Sequence, residues 1–132
     1  MYVKPMAERI KLPHFDGGHG QLTVIENILT GDIKRVFFIR DAQGKKRGNH
    51  RHQHCSHLMV CLTGSCSVYV HSGQNEQVYR LNNPDEALLL YPTDWREMFD
   101  FSADCLLMCL SDTLYDPNDY IYEPYSLETP EQ

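Results

Sequence analysis

The sequence predicts an all-β, single-domain fold, and three observations predict it. Short apolar or alternating runs recur roughly every ten residues, each closed by a Gly, Pro, Asn or Asp turn. No amphipathic window of helical period is long enough to compete with them. The chain has 132 residues, enough for one core and little more. We assign the domain to residues 1–125, with 126–132 as a polar, flexible tail.

The elements follow in order. A strand is predicted over Leu22–Leu29, ended by Thr30-Gly31-Asp32, and another over Ile33–Arg40, ended by the turn from Asp41 to Gly44. Gly48–His54 and His57–Leu62 come next, then Thr63-Gly64 and the strand Cys66–His71. Ser72-Gly73 leads to Gln77–Leu81, and Asn82-Asn83-Pro84 leads to Ala87–Tyr91. Pro92-Thr93-Asp94 precedes Trp95–Phe99, and Ser102-Ala103-Asp104 precedes Cys105–Leu110. Within that last strand Leu106–Leu110 is apolar at every position, the pattern of a strand buried on both faces. The one helix candidate is short, Asp116–Tyr120, with Asp116 as N-cap and Pro117 as first helical residue. So many short strands make a sandwich or barrel, filled at one end and open to a ligand at the other.

Composition excludes several function classes. With 42% hydrophobic residues the chain can build a core, but no apolar run approaches the length of a membrane span. Met1-Tyr2-Val3-Lys4-Pro5 has no apolar run behind its charge and does not read as a signal peptide. The formal net charge of −6 argues against nucleic acid as a partner but leaves a small anionic ligand open. The five cysteines include no C-x-x-C pair, which suits reduced thiols in the cytoplasm. Cys61, Cys105 and Cys109 lie in apolar runs and read as core packing.

Chemistry concentrates between Gly44 and His57. In a strand His50 and His52 project to one face, with Arg51 on the other. Two imidazoles entering one cavity suit acid–base work near neutral pH, or metal ligation. A solvated outer strand is the competing reading. The spacing Gly44-x5-His50-x-His52-x4-His57-x6-Gly64 resembles the first motif of the cupins, with His57 in place of the usual glutamate. The second cupin motif supplies a histidine to metal-binding members; the matching stretch, Tyr91-Pro92-Thr93-Asp94-Trp95-Arg96-Glu97, offers Arg96 instead. A metal shell would then have to come from His50, His52 and His57 alone.

Further blocks carry a closer resemblance. Ile33-Lys34-Arg35-Val36 is similar to I-K-R-V, and Arg47-Gly48-Asn49-His50-Arg51-His52 to R-G-x-H-x-H. Val60-Cys61-Leu62-Thr63-Gly64-Ser65-Cys66 is similar to V-C-L-x-G-S-C. The stretch from Trp95 to Cys105 resembles W-H-E-M-x-D-F-S-x-D-C, and Asp116-Pro117-Asn118-Asp119-Tyr120-Ile121 resembles D-E-x-D-Y-I. On these blocks the chain resembles the dTDP-sugar 3,4-ketoisomerases. The resemblance implies a single-domain, RmlC-like cupin β-barrel or jelly roll, a homodimer, and catalysis without metal or other cofactor. It implies a dTDP-4-keto-6-deoxyhexose substrate whose keto group moves between C4 and C3, on the way to deoxyaminosugars of surface polysaccharides.

On that basis His50 and His52 are the expected catalytic pair: a neutral histidine can take the C3 proton, and a second can move protons between the oxygens. Arg35, Arg47 and Arg96 are candidates for the diphosphate and the enediolate charge. Phe38, Trp95, Tyr91 and His19 complete the expected substrate-binding set. Glu97 is a candidate to orient a histidine. Four departures from the family pattern stand out: Phe37 and Phe38 replace a tyrosine pair, Arg96 a histidine, His19 an arginine, and Gln53-His54 a lysine. They motivate a second reading, a non-catalytic sugar-nucleotide-binding cupin, while the three histidines motivate a third, a metal cupin.

Overall fold

Along β6 (His57–Thr63) every residue from His57 to Cys61 is buried, so this strand must be covered on both faces. Its alternate residues enter two different cores. Met59 and Cys61 join Leu107, Cys109, Val68, Val70 and Met98 in one cluster; Leu58 and Val60 join Leu12, Ala87, Leu89 and Leu110 in another. The computed structural model describes residues 6–126.

Two five-stranded antiparallel sheets generate the first core between them, a jelly-roll sandwich whose sheets face each other without joining into a closed barrel. One sheet runs β1 (Glu8–Lys11), β9 (Glu86–Leu90), β6, β11 (Leu106–Ser111), β4 (Arg35–Ile39). The other runs β12 (Tyr120–Ile121), β5 (Arg47–His52), β10 (Trp95–Phe99), β7 (Cys66–His71), β8 (Glu76–Leu81). A hairpin of β2 (His14–Asp16) and β3 (Gln21–Thr23) stands apart.

The expected strand Leu22–Leu29 stops at Thr23. Its apolar residues are real burial signals of another kind. Ile25, Ile28 and Leu29 lie in an irregular segment laid on the back of the first sheet, where they cover the second core. Asn27 has φ 55°, a left-handed residue that ends any extended run there. Ile33–Arg40 shortens to begin at Arg35, and β1, β2 and β12 had no sequence signal because β1 and β2 are short and largely polar or exposed and β12 is only two residues long. The expected helix is a single 3-10 turn, Pro117–Asp119, capped by the Asp116 side chain on the Asn118 N–H at 2.9 Å. β11 runs between β6 and β4 and contributes to both cores, as its continuous apolar sequence requires. Of the expected tail, residues 127–132 lie outside the described residues.

One irregularity positions the site. β10 pairs with β5 as Arg96↔His50, then Glu97↔Gly48, leaving Asn49 as an inserted residue at φ 61°. This bulge reverses the alternation along β5. Strict alternation would turn Arg47 away from His50; the bulge pairs Arg47 with Met98 and brings it to the same inner face. Gly48 makes the bulge possible. Its φ is +91°, and a Cβ there would sit 2.8 Å from the Arg96 carbonyl oxygen. Gly48→Ala is expected to lower stability by about 1–3 kcal/mol. Gly17→Ala, where a Cβ meets nothing within 4 Å, should stay within about 0.5 kcal/mol of the parent. Urea midpoints of the two variants check this.

Candidate active site

Four elements aim polar side chains into one end of the sandwich. β5 supplies His50 and His52, β6 supplies His57, β10 supplies Arg96, and β12 lays Tyr120 against them. The imidazoles of His50 and His52 lie 4.8 Å apart between ring centroids, and those of His52 and His57 5.0 Å apart. Tyr120 touches His50 at 4.7 Å and His52 at 4.6 Å, and Tyr122 stacks beyond Tyr120. His52, His57 and Arg96 are buried, while His50 is half-buried on the side of the exposed Tyr122. The histidines therefore line the interior, with His50 outermost.

The hydrogen bonds define the tautomers. His52 Nδ1 lies 2.9 Å from Asp119 Oδ2; a carboxylate only accepts, so the Nδ1–H donates and Nε2 keeps its lone pair. Asp119 also accepts from the backbone N–H groups of His54 at 2.8 Å and Cys55 at 3.2 Å, which fixes the carboxylate against the end of β5. Arg96 donates through Nη1 to His57 Nδ1 at 2.8 Å, so the His57 proton sits on Nε2, 3.4 Å from Cys55 Sγ. The remaining Arg96 donors reach the carbonyls of Asp94 and Tyr91. Among the described residues, His50 Nδ1 and His52 Nε2 are buried ring nitrogens without a hydrogen-bond partner.

Burial and charge hold all three imidazoles neutral. Burial, then the Arg96 guanidinium, then the neighbouring His52 push His50 down to about 3. The same burial and guanidinium push His52 down to about 4 against the raising effect of Asp119, and His57 down to about 2. Arg96 falls only to about 10, mainly through burial, and stays charged at neutral pH. Burial raises Asp119, but the His54 N–H and His52 outweigh it and its pKa is lowered overall.

The expected site residues divide into two groups. His50, His52, Arg96 and Arg35 converge. Arg35 reaches the inner row opposite Ser111 and His57, its guanidinium stacked 4.5 Å from the Phe37 ring and 5.4 Å from Tyr115. Arg47 shares their face through the bulge and is exposed. The others lie elsewhere. Phe38 alternates with Phe37 and points outward, 59% exposed. Trp95 precedes Arg96 and so occupies the outer face, where its Nε1–H donates to Glu97 at 2.8 Å. Glu97 also pairs with Lys46 at 3.0 Å and orients no histidine. The Tyr91 ring packs on the second core while its carbonyl serves Arg96, and His19 is exposed in the β2–β3 turn.

Sequence reasoning missed Asp119, Tyr120, Tyr122 and Cys55. The block Asp116–Ile121 carried a signal for a cap but none for a carboxylate returning to β5. A shared metal is poorly served here. The ligand atoms that approach within 4.8 Å of one another belong to His52, Cys55 and His57, not to the three histidines. Arg96 already occupies His57 Nδ1, and its fixed charge opposes a dication.

Comparisons with known proteins place the sequence and the fold. Residues 6–129 match the family model described as FdtA: WxcM-like, C-terminal. A TDP-4-oxo-6-deoxy-alpha-D-glucose-3,4-oxoisomerase of Aneurinibacillus thermoaerophilus is 41% identical over 105 residues, 77% of this chain and 76% of that protein. The TDP-fucose-3,4-ketoisomerase WlaRA of Campylobacter jejuni superposes with TM-score 0.83 at 30% identity, covering 89% of both chains. A histidine-to-asparagine mutant of QdtA from Thermoanaerobacterium thermosaccharolyticum, solved with TDP-4-keto-6-deoxyglucose, gives TM-score 0.80 at 36% identity, covering 89% of this chain and 87% of that one.

The neutral buried histidines carry a pH signature. Their folded pKa values, about 2 for His57 and about 4 for His52, lie below the unfolded value of about 6.5. Between those values the unfolded chain binds more protons, so stability is full above pH ~6.5 and falls as the pH drops below it. Each such histidine should contribute a slope approaching about 1.4 kcal/mol per pH unit. Urea unfolding between pH ~6.5 and ~5 is expected to show this decline, the three histidines outweighing the single opposing carboxyl of Asp94, which burial raises to about 6. In His57→Gln, which keeps an acceptor for Arg96, the slope is expected to shrink; a flat profile in the parent would contradict the assignment.

Proposed function

The chain belongs to the FdtA family, WxcM-like, C-terminal, and on that footing we propose that His50 and His52 carry protons between C3 and C4 of a TDP-linked 6-deoxyhexose. The protein is a TDP-sugar 3,4-ketoisomerase. The observation that supports the residue roles is the pair of neutral imidazoles on one enclosed face, with unpartnered ring nitrogens beside a buried guanidinium.

Isomerisation needs a base at the C3 hydrogen, charge stabilisation at the C4 oxygen, and return of a proton at C4. His50 is the outermost imidazole and the one a sugar carbon reaches first. His52, deeper and held by Asp119, keeps its Nε2 lone pair towards the interior and receives or returns the proton. In this reading the buried Arg96 guanidinium acts through its field, favouring negative charge on the enediolate from behind His57. A base with a pKa near 3 is weak in the free protein. The substrate's own pyrophosphate offsets the Arg96 field and raises that value when it binds. Arg35, preorganised between two rings, and Arg47, carried inward by the bulge, are the bidentate donors for that pyrophosphate.

The reading includes a homodimer. Val36 and Phe38 present 55% and 59% of their surface on the outer face of edge strand β4. An apolar pair there suits a covered surface. It also includes the cytoplasm, since all five cysteines are free thiols, and a product feeding deoxyaminosugar synthesis for surface polysaccharides. No helix among the described residues is long and apolar enough to cross a membrane.

Incubation with TDP-4-keto-6-deoxyglucose in D2O tests the reaction. Deuterium is expected at C3 or C4 of the ring. Tight binding without exchange would replace the isomerase by a binding protein. His50→Asn should lower kcat by about 10²–10⁴-fold with TDP affinity kept. Unchanged turnover in that variant would remove His50 from the mechanism.

A further inference from the structure

At the end of the sandwich away from the histidines, three thiols from separate segments meet. Cys61 lies near the end of β6, Cys66 opens β7, and Cys105 immediately precedes β11. Their Sγ atoms all lie within 4.8 Å of one another, with Cys61 and Cys105 3.6 Å apart. All three are buried, at 1%, 0% and 4% exposure, and all are free thiols. A disulfide needs its sulfurs about 2 Å apart and can join only two of the three.

The spacing has a chemical meaning. Metal–thiolate bonds are about 2.3 Å long, so three sulfurs around one trigonal ion stand about 4 Å apart. The 3.6 Å separation of Cys61 and Cys105, and the 4.8 Å limit within which all three sulfurs lie, are compatible with that value. The donor set is sulfur alone. Asp104, the nearby carboxylate, accepts from Ser102 Oγ at 2.8 Å. The turn above the thiols is pinned to the same loop, with Thr63 Oγ1 donating to the Asp104 carbonyl at 2.7 Å and the Ser65 N–H to Ser102 Oγ at 2.9 Å. Soft donors in low coordination select Cu(I) over the oxygen-seeking cations.

We propose that Cys61, Cys66 and Cys105 form a soft-metal site that takes one Cu(I)-like ion per chain. Binding exchanges S–H bonds for S–metal bonds, releases the displaced protons to solvent, and leaves the metal's oxidation state unchanged. Cys61 lies four residue steps along β6 from His57, about 13 Å of strand, so the ion is remote from the isomerase chemistry. Its consequence is mechanical: it ties β6 and the segment entering β11, in one sheet, to β7 in the other.

The test uses the full-length reduced protein under anaerobic conditions, titrated with Cu(I) against bathocuproine disulfonate. One Cu(I) per chain is expected to resist the chelator in the parent and in Cys109→Ala, and to be lost in Cys61→Ala and Cys105→Ala. Thermal unfolding should shift upward with Cu(I) in the parent and in Cys109→Ala, and not in Cys61→Ala or Cys105→Ala. X-ray absorption at the copper edge of the parent should show a sulfur-only shell at about 2.3 Å. This last measurement needs no variant to fold. A shell containing nitrogen, which would place the ion at the histidines, overturns the proposal, and so does a parent protein that retains no Cu(I).

Discussion

The site depends on one fully buried guanidinium. Arg96 has no exposure, and its donors end on two backbone carbonyls and one imidazole rather than on a carboxylate within ion-pairing distance. Such a group keeps its charge inside a medium that screens little, so the neighbours that can titrate must yield instead. The three histidines yield by staying neutral. Their tautomers follow from the same arrangement: Arg96 dictates where His57 holds its proton, and Asp119 does so for His52. Asp94, whose carboxyl is buried beside the same arginine, is raised to about 6 because burial outweighs its neighbours.

This cation also reconciles two features that pull apart. A cluster of imidazoles resembles a metal shell, yet the residue in the second motif's histidine position repels one. Replacing a ligand by a fixed charge turns a coordination site into an electrostatic one, suited to holding negative charge as it develops on a substrate oxygen. The bulge at Gly48 and Asn49 extends the same logic outward, since it adds Arg47 to the face that His50 and Arg96 already share.

The sequence disclosed the strands that alternate or run apolar, because period and turn chemistry are local properties. It misread Ile25–Leu29, where burial is real but no ladder forms, because composition cannot tell a strand from an irregular cover on a sheet's back. The pairing of His50 with His52 was legible from spacing alone. The inward turn of Arg47 had only a conformational clue, a glycine followed by an asparagine, and alternation pointed the wrong way. Trp95 and Arg96 could not both face the lumen, and nothing local chose between them; burial of the whole sheet did. Asp119 was invisible as a partner because its contact with His52 spans 67 positions of the chain.

That separation sets an order of assembly. The H-x-H strand is complete by residue 52, but the carboxylate that fixes His52 and the tyrosine that lies across both rings come from residues 119 and 120, after β1 to β11 have been made. A chain cut before those two residues would keep every strand of both cores and both imidazoles, yet lose the carboxylate that sets the His52 tautomer and the ring that packs on the pair.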